Sequence, residues 1–97
     1  MPNGAVLLFE KRERILDAAR RYGLADVRIF GSFARGEADE ESDIDFVVRL
    51  ESGRSPLGLG GFLMEMRDLF GRRVDVATEA MLKPRYRERV LSESVAV

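Results

Sequence analysis

The stretch that most constrains the fold is residues 31–48, where a glycine–serine turn is followed by two acids that open an apolar run. In an extended strand successive side chains point to opposite faces, so Asp43 and Asp45 share one face. The other face then carries three apolar side chains, those of Ile44, Phe46 and Val48. Two neighbouring carboxylates repel each other, and a divalent cation bound by both would remove that penalty. The pattern therefore predicts a strand with a cation site on its polar face.

The turn before these acids suits a phosphate group. Gly31 allows a backbone to approach a phosphate closely, and Ser32 offers a hydroxyl beside the backbone N–H groups of the turn. Arg35 lies one helical turn after Ser32 and could face the same anion. We also expect Ser32 to cap a short helical turn that Gly36 closes. A metal ion together with a phosphate is the first hypothesis for this stretch.

The chain has no cysteine and no histidine. Disulfides, thiolate zinc sites, imidazole ligands and histidine-based triads are therefore excluded. Any metal ion must be bound by oxygen, which points to Mg²⁺, Mn²⁺ or Ca²⁺. An EF-hand is excluded because the acidic run 39–41 lacks the glycine and the terminal glutamate of that loop, and no Gly-Lys-Ser/Thr sequence indicates a P-loop.

Length and composition bound the class of protein. Ninety-seven residues suit one compact domain, and 45% hydrophobic with 34% charged residues can supply a core and a polar surface. No apolar run approaches membrane-spanning length and no signal peptide is present, so a cytoplasmic protein is expected. The formal net charge of −1 gives no general reason to expect tight nonspecific DNA binding.

Hydrophobic periodicity predicts helices that alternate with short strands. After a lead-in over residues 1–7, we expect helices over about 8–22, 57–70 and 79–94, the last interrupted near Pro84. Strands are expected over about 27–30, 43–50 and 73–77. The buried side of the last helix should consist of Leu82, Tyr86, Val90 and Leu91. The tail 95–97 is too short to judge. This order of elements predicts an α/β or α+β fold with one small mixed sheet flanked by helices.

Asp75 is the third candidate acid. It lies in the third predicted strand, on the face opposite Val74 and Val76. The helix between the second and third strands makes a crossover, which normally places those strands side by side or nearly so. Asp43, Asp45 and Asp75 would then converge at one patch. Three carboxylates around two Mg²⁺ ions about 3.5–4 Å apart are used for in-line displacement at phosphorus, and the third acid can bind metal or take the nucleophile's proton.

Several segments of the chain together form a known pattern. They are Gly31-Ser32, Arg35-Gly36, Ser42-Asp43-Ile44-Asp45, residues 71–78, Leu82-Lys83-Pro84 and Val90-Leu91-Ser92-Glu93. This pattern resembles the signature of the DNA polymerase β-like nucleotidyltransferase superfamily, and most closely its minimal nucleotidyltransferase (MNT) branch. The resemblance spans nearly the whole chain and implies that residues 1–97 form a single minimal nucleotidyltransferase domain with that fold.

The resemblance also implies an activity and a partner. Small proteins of this branch are typically antitoxins, and their partner is a helical HEPN-family ribonuclease toxin. The implied reaction is the Mg²⁺-dependent transfer of AMP from ATP to a tyrosine of that toxin. By position, the resemblance assigns catalysis and metal binding to Asp43, Asp45 and Asp75, and nucleotide binding to Gly31, Ser32 and Arg35. The extra substrate-binding domain of larger relatives is missing, which implies that another protein holds the acceptor.

Plainer explanations are left open for these features. The paired acids could discourage aggregation at a sheet edge, and Arg35 could form a surface ion pair with Glu37 or Asp39. The arginines of the last helix are spaced by two, which suggests solvation or a partner contact rather than a nucleic-acid surface. The chain could also neutralise a partner by binding alone, or transfer its nucleotide to an RNA or a small molecule. The sequence leaves a homo-oligomer open.

Overall fold

The computed structural model describes residues 4–97, with helices on a small sheet. The helices are α1 (Gly4–Arg21), α2 (Ser32–Arg35), α3 (Gly58–Phe70) and α4 (Pro84–Glu93), with a 3₁₀ turn at Glu79–Met81. The strands are β1 (Leu24–Phe30), β2 (Ile44–Leu50), β3 (Val74–Thr78) and β4 (Val95–Ala96). The predicted mixed α/β fold is confirmed. Among the described residues, no helix is long and apolar enough to cross a membrane.

The four strands form one mixed sheet in the order β3-β2-β1-β4. β1 pairs antiparallel with both β2 and β4, whereas β2 and β3 run parallel. Helix α3 is the crossover between the two parallel strands, and the prediction that those strands are neighbours is confirmed. This topology puts β2 at the centre of the site, with β1 on one side of it and β3 on the other.

One face of the sheet is covered by α1 and α3. The alternate residues of β2 that point to this face are at most 1% exposed, namely Ile44, Phe46 and Val48. The Phe46 ring meets the Phe62 ring of α3 edge to face, with the ring centroids 5.5 Å apart. Ile15 of α1 and Met66 of α3 belong to the same buried cluster. Burying this face leaves the acids of β2 on the opposite face, as the alternation of strand side chains requires.

Two boundaries in the first third of the chain differ from prediction. Helix α1 begins at Gly4, so residues 4–7 of the predicted lead-in are helical, while residues 1–3 of it lie outside the described residues. Strand β1 begins at Leu24 rather than at residue 27. Its register shifts between Ala25 and Arg28, and Asp26 has a positive φ of 49°. This irregularity breaks the two-residue period, and the alternation in the sequence therefore shows only the second half of the strand.

The C-terminal segment differs more. Pro84 separates a 3₁₀ turn from α4 and occupies the first turn of α4, so the interruption predicted near Pro84 is present, and only residues 84–93 of the predicted range 79–94 are α-helical. The predicted buried side of that helix is wrong for Tyr86, which is 46% exposed, and α4 has no buried residue. Val95 and Ala96, which the sequence left unjudged, form an edge strand opposite Ile29 and Arg28.

Candidate active site

The parallel pairing of β2 with β3 brings two acids together. Asp45 is the register partner of Asp75 in β3, and Phe30 of β1 lies opposite Asp45 on its other side. Register partners in a sheet lie about 5 Å apart and point to the same face, so the two carboxylates stand side by side. Asp43 lies two residues before Asp45, just ahead of the first residue of β2, and is near enough for its charge to act on Asp45. The structure therefore groups the three predicted acids at one end of two neighbouring strands.

The charges in this group act on one another. Burial raises the pKa of the Asp45 carboxyl, and the carboxylates of Asp75 and Asp43 raise that pKa further. Asp45 is half-buried, whereas Asp75 is exposed. Ionised Asp45 is therefore destabilised by its surroundings, and a cation bound there would offset that destabilisation.

Arg73 is a basic neighbour of Asp43. The Oδ2 atom of Asp43 lies 4.0 Å from Nη1 of Arg73; the Arg73 side chain is exposed, and that of Asp43 is about half-exposed. Within residues 4–97, no group of three acidic side chains is arranged as a metal site. The fit of these acids to Mg²⁺ thus rests on oxygen-donor chemistry and on the strand register of Asp45 and Asp75. Their assignment as metal ligands stays a prediction.

Gly31 lies against Asp45. Its backbone has φ 82° and ψ −148°, a conformation that residues with a side chain rarely adopt. A Cβ atom at this position would lie 2.8 Å from Oδ2 of Asp45, closer than van der Waals contact allows. Glycine is therefore required here both for the turn and for the space that the carboxylate occupies.

The helical turn after Gly31 forms, but it is not capped by Ser32. Gly31 itself occupies the N-cap of α2, and no side chain makes a cap hydrogen bond, so the predicted cap is wrong. Ser32 is the first helical residue because the chain makes its sharp turn one residue earlier. Gly36 ends the helix in the left-handed conformation, as predicted, with φ 73°.

Arg35 lies at the end of α2 and is exposed. Its Nε donates to Oε2 of Glu37 at 3.1 Å, which is the surface ion pair that the sequence left open. Gly31 therefore lies beside the candidate acids, whereas Arg35 is paired with Glu37.

Sequence reasoning gave no separate role to Arg72, which contacts two parts of the site. Its Nη1 donates to the backbone carbonyl of Asp39 at 2.9 Å and to that of Ser42 at 3.1 Å. The guanidinium also lies over the Phe33 ring of α2, 5.3 Å from its centroid. The two carbonyls lie 33 and 30 residues away in the chain. Every residue has a backbone carbonyl, so no residue type in the sequence indicates these two hydrogen bonds.

Comparison with known proteins identifies the family. Residues 12–97 match the model of the nucleotidyltransferase domain family. The chain belongs to this nucleotidyltransferase family. The protein adenylyltransferase MntA of Thermococcus cleftensis is 37% identical over 98 residues, which cover 96% of this chain and 99% of MntA. MJ0435 of Methanocaldococcus jannaschii, a candidate protein adenylyltransferase, is 36% identical over 88 residues, which cover 91% of this chain and 95% of MJ0435.

Solved structures agree with this membership. The structure of a candidate minimal nucleotidyltransferase is 43% identical in sequence to this protein, with a TM-score of 0.83. The match covers 93% of this chain and 92% of the other. A toxin–antitoxin structure with AMP-PNP has a TM-score of 0.72, and the match covers 87% of this chain and 69% of the other. Because the sequences are only 17% identical, this likeness shows the fold alone. The predicted enzyme class and the predicted likeness to minimal nucleotidyltransferases are confirmed.

Proposed function

We propose that this nucleotidyltransferase transfers AMP from ATP to a tyrosine of a partner toxin of the HEPN type, and so acts as an antitoxin. The observation that carries the proposal is the pairing of Asp45 with Asp75 beside the tight turn at Gly31. Two findings from the comparisons support it. The MntA relative is a protein adenylyltransferase, and a fold neighbour is a toxin–antitoxin complex with an ATP analogue.

In this proposal the acids hold the metal ion. Asp43 and Asp45 are the ligands of Mg²⁺, two ions being expected, and Asp75 is the third ligand or the base. Bound Mg²⁺ supplies positive charge against the triphosphate and lowers the pKa of an attacking hydroxyl. The raised pKa of Asp45 supports this role, because a bound cation favours the ionised carboxylate that burial and the acidic neighbours disfavour.

The remaining contributions come from the turn and from Asp75. The backbone at Gly31 and the hydroxyl of Ser32 contact the triphosphate, with Arg35 as a weaker contact that must first leave Glu37. The acceptor phenol oxygen attacks the α-phosphorus, the α–β bridging P–O bond breaks, and pyrophosphate leaves. In this proposal Asp75, which is exposed on β3, takes the phenol proton.

The exposure of the site favours a protein acceptor. Asp75 is exposed, and the Asp43 side chain keeps 44% of its accessible surface, so a side chain presented by another protein can reach both. We further propose that residues 1–97 act as a single domain in the cytoplasm, with no nucleic acid as direct partner. The MntA relative is covered over 99% of its length, which supports the single domain.

The test uses ATP labelled at either the α- or the γ-phosphate, with Mg²⁺ and the co-encoded helical partner. Transfer of α-label but not of γ-label to the partner is expected, because AMP is the group transferred. The same transfer should be absent from the double variant Asp43→Ala, Asp45→Ala. No α-label on the partner, or equal labelling by the double variant, would overturn the proposal.

The same experiment separates the alternatives. If the double variant still neutralises the partner in cells, neutralisation depends on binding alone. If α-label moves to tRNA or to a small hydroxylated compound instead of to protein, the acids act as proposed and only the acceptor differs.

A further inference from the structure

We propose that Arg72 is the positioning residue that fixes Asp43 relative to the turn at Gly31. The proposal rests on the function above only for its activity readout. Arg72 precedes β3, and its guanidinium reaches across the end of the sheet to the loop before β2 and to α2. It therefore contacts the loop that leads to the candidate metal ligand Asp43 and the helix that follows the candidate phosphate turn at Gly31.

The backbone on both sides of Asp43 is bonded to the Arg72–Arg73 pair. On one side, the Ser42 carbonyl accepts from Nη1 of Arg72 at 3.1 Å. On the other side, the Ile44 N–H donates to the Arg73 carbonyl at 3.1 Å. The position of the Asp43 Cα is thus set by two consecutive residues of the chain that leads into β3.

The loop that Arg72 contacts is itself ordered by hydrogen bonds between Asp39 and Ser42. The Ser42 N–H donates to the Asp39 carbonyl at 3.2 Å, and the Asp39 N–H donates to the Ser42 Oγ at 2.9 Å. The Asp39 carbonyl also accepts from Arg72 at 2.9 Å. Because the two carbonyl acceptors of Arg72 lie at the two ends of this compact turn, the guanidinium holds the turn as one unit.

The contact between Arg72 and the Phe33 ring links this turn to α2. Phe33 is 4% exposed, belongs to the buried core cluster and lies two residues after Gly31, the N-cap of α2. The guanidinium lies 5.3 Å from the Phe33 centroid, within the range of a cation–π contact. Arginine is needed for this combination, because a planar guanidinium can donate in its plane while it stacks on an aromatic ring.

The consequence is a defined spacing between Asp43 and Gly31. Misplacing a catalytic group by about 1 Å costs about 100-fold in rate. Removal of the Arg72 guanidinium should therefore lower kcat for nucleotidyl transfer by about 10- to 100-fold, with the partner still bound at its wild-type affinity.

Arg54 provides a matched control. Its Nη2 donates to the backbone carbonyl of Arg21 at 3.2 Å, so it too joins a loop to a distant carbonyl, but at the end of α1. Arg72→Met and Arg54→Met would be compared by steady-state kinetics and by amide hydrogen exchange of residues 39–45. We expect Arg72→Met alone to lower kcat and to accelerate exchange in that segment. Added guanidinium ion, well below denaturing concentration, should restore part of kcat in Arg72→Ala and none in Arg54→Ala.

The outcomes separate this inference from the proposed function. If the wild-type protein transfers no nucleotide, the proposed function fails, and exchange of residues 39–45 still tests the positioning role. Unchanged exchange of residues 39–45 in Arg72→Met would overturn the inference. So would a loss of kcat equal to that of Arg54→Met, or a loss that guanidinium does not relieve.

Discussion

The Cα of Gly31 lies so close to the Asp45 carboxylate that a Cβ atom there would be 2.8 Å from Oδ2. The turn at Gly31, a candidate phosphate contact, therefore lies against Asp45, a candidate metal ligand. In the sequence they are separated by the acidic loop 37–42, and the antiparallel pairing of the two strands closes that distance.

Gly31→Ala should therefore disrupt both the turn and the acid group. The positive φ costs about 1–3 kcal/mol for a residue with a side chain, and the new Cβ displaces Asp45 as well. We expect a lower free energy of unfolding and a loss of nucleotidyl transfer of at least about tenfold. Urea unfolding and the labelled-ATP assay measure the two effects.

Gly36→Ala is the control for backbone strain alone. Gly36 also has a positive φ, of 73°, but a Cβ there would meet no atom of the described residues within 4 Å. This variant should lose stability and keep its activity. Equal activity in Gly31→Ala and Gly36→Ala would show that the contact with Asp45 has no catalytic consequence.

Asp45→Asn should make the metal-free protein more stable at neutral pH. Burial and the carboxylates of Asp75 and Asp43 raise the pKa of Asp45 above its ordinary value of 3.8, so the folded state binds this proton more tightly than the unfolded state. Stability contributed by the proton is present at low pH and is lost as the pH rises through the raised pKa. Asparagine carries no charge, so its advantage should grow over that window. Urea unfolding in EDTA at several pH values tests this.

Asp68→Asn, at an exposed position on α3, makes the same change of charge away from the site. It should show no comparable gain. Mg²⁺ should stabilise the wild type, by about 2.7 kcal/mol at a hundred times its Kd, and should stabilise Asp45→Asn less. A wild-type protein that is more stable than Asp45→Asn in EDTA at neutral pH would contradict the repulsion among the acids.

The parts of the fold that were predictable are those with local signals. Alternation in residues 43–48 indicated the strand and its polar face, and the helix before Asp75 indicated a crossover to a parallel neighbour. Strand β4 could not be predicted, because two residues carry no period and their partners in β1 lie 66 or more positions away. The N-cap at Gly31 was missed because serine is itself a favoured cap, and only the backbone shows which residue turns.

Phe46→Ala tests the core that holds the acids in place. The Phe46 side chain is 1% exposed and contacts the rings of Phe62 and Phe70. Its removal should cost about 3–5 kcal/mol of unfolding free energy, because the cavity between β2 and α3 can collapse only partly. Phe46→Leu keeps most of the volume and should cost clearly less. Equal losses in urea unfolding would show that the ring does not pack as described.

Gly60→Ala should stabilise the protein. Gly60 lies exposed in the first turns of α3, and within the part of the chain that the structure describes a Cβ there meets no atom within 4 Å. Alanine should add about 1 kcal/mol, or about 4–8 °C in Tm for a domain of this size. Gly58→Ala is the matched contrast, because its Cβ would lie 2.9 Å from the Tyr22 carbonyl oxygen, and it should not stabilise. A lower Tm for Gly60→Ala would contradict the helix described here.

The proposed reaction adds AMP to a partner protein and depends on the paired acids Asp45 and Asp75 of two parallel strands. The most direct measurement is the intact mass of the co-encoded partner after incubation with this protein, ATP and Mg²⁺. The expected result is a mass increase of one adenylyl group for each modified tyrosine, absent with Asp45→Ala and with Asp75→Ala. An unmodified partner, or the same increase with either variant, would contradict the claim.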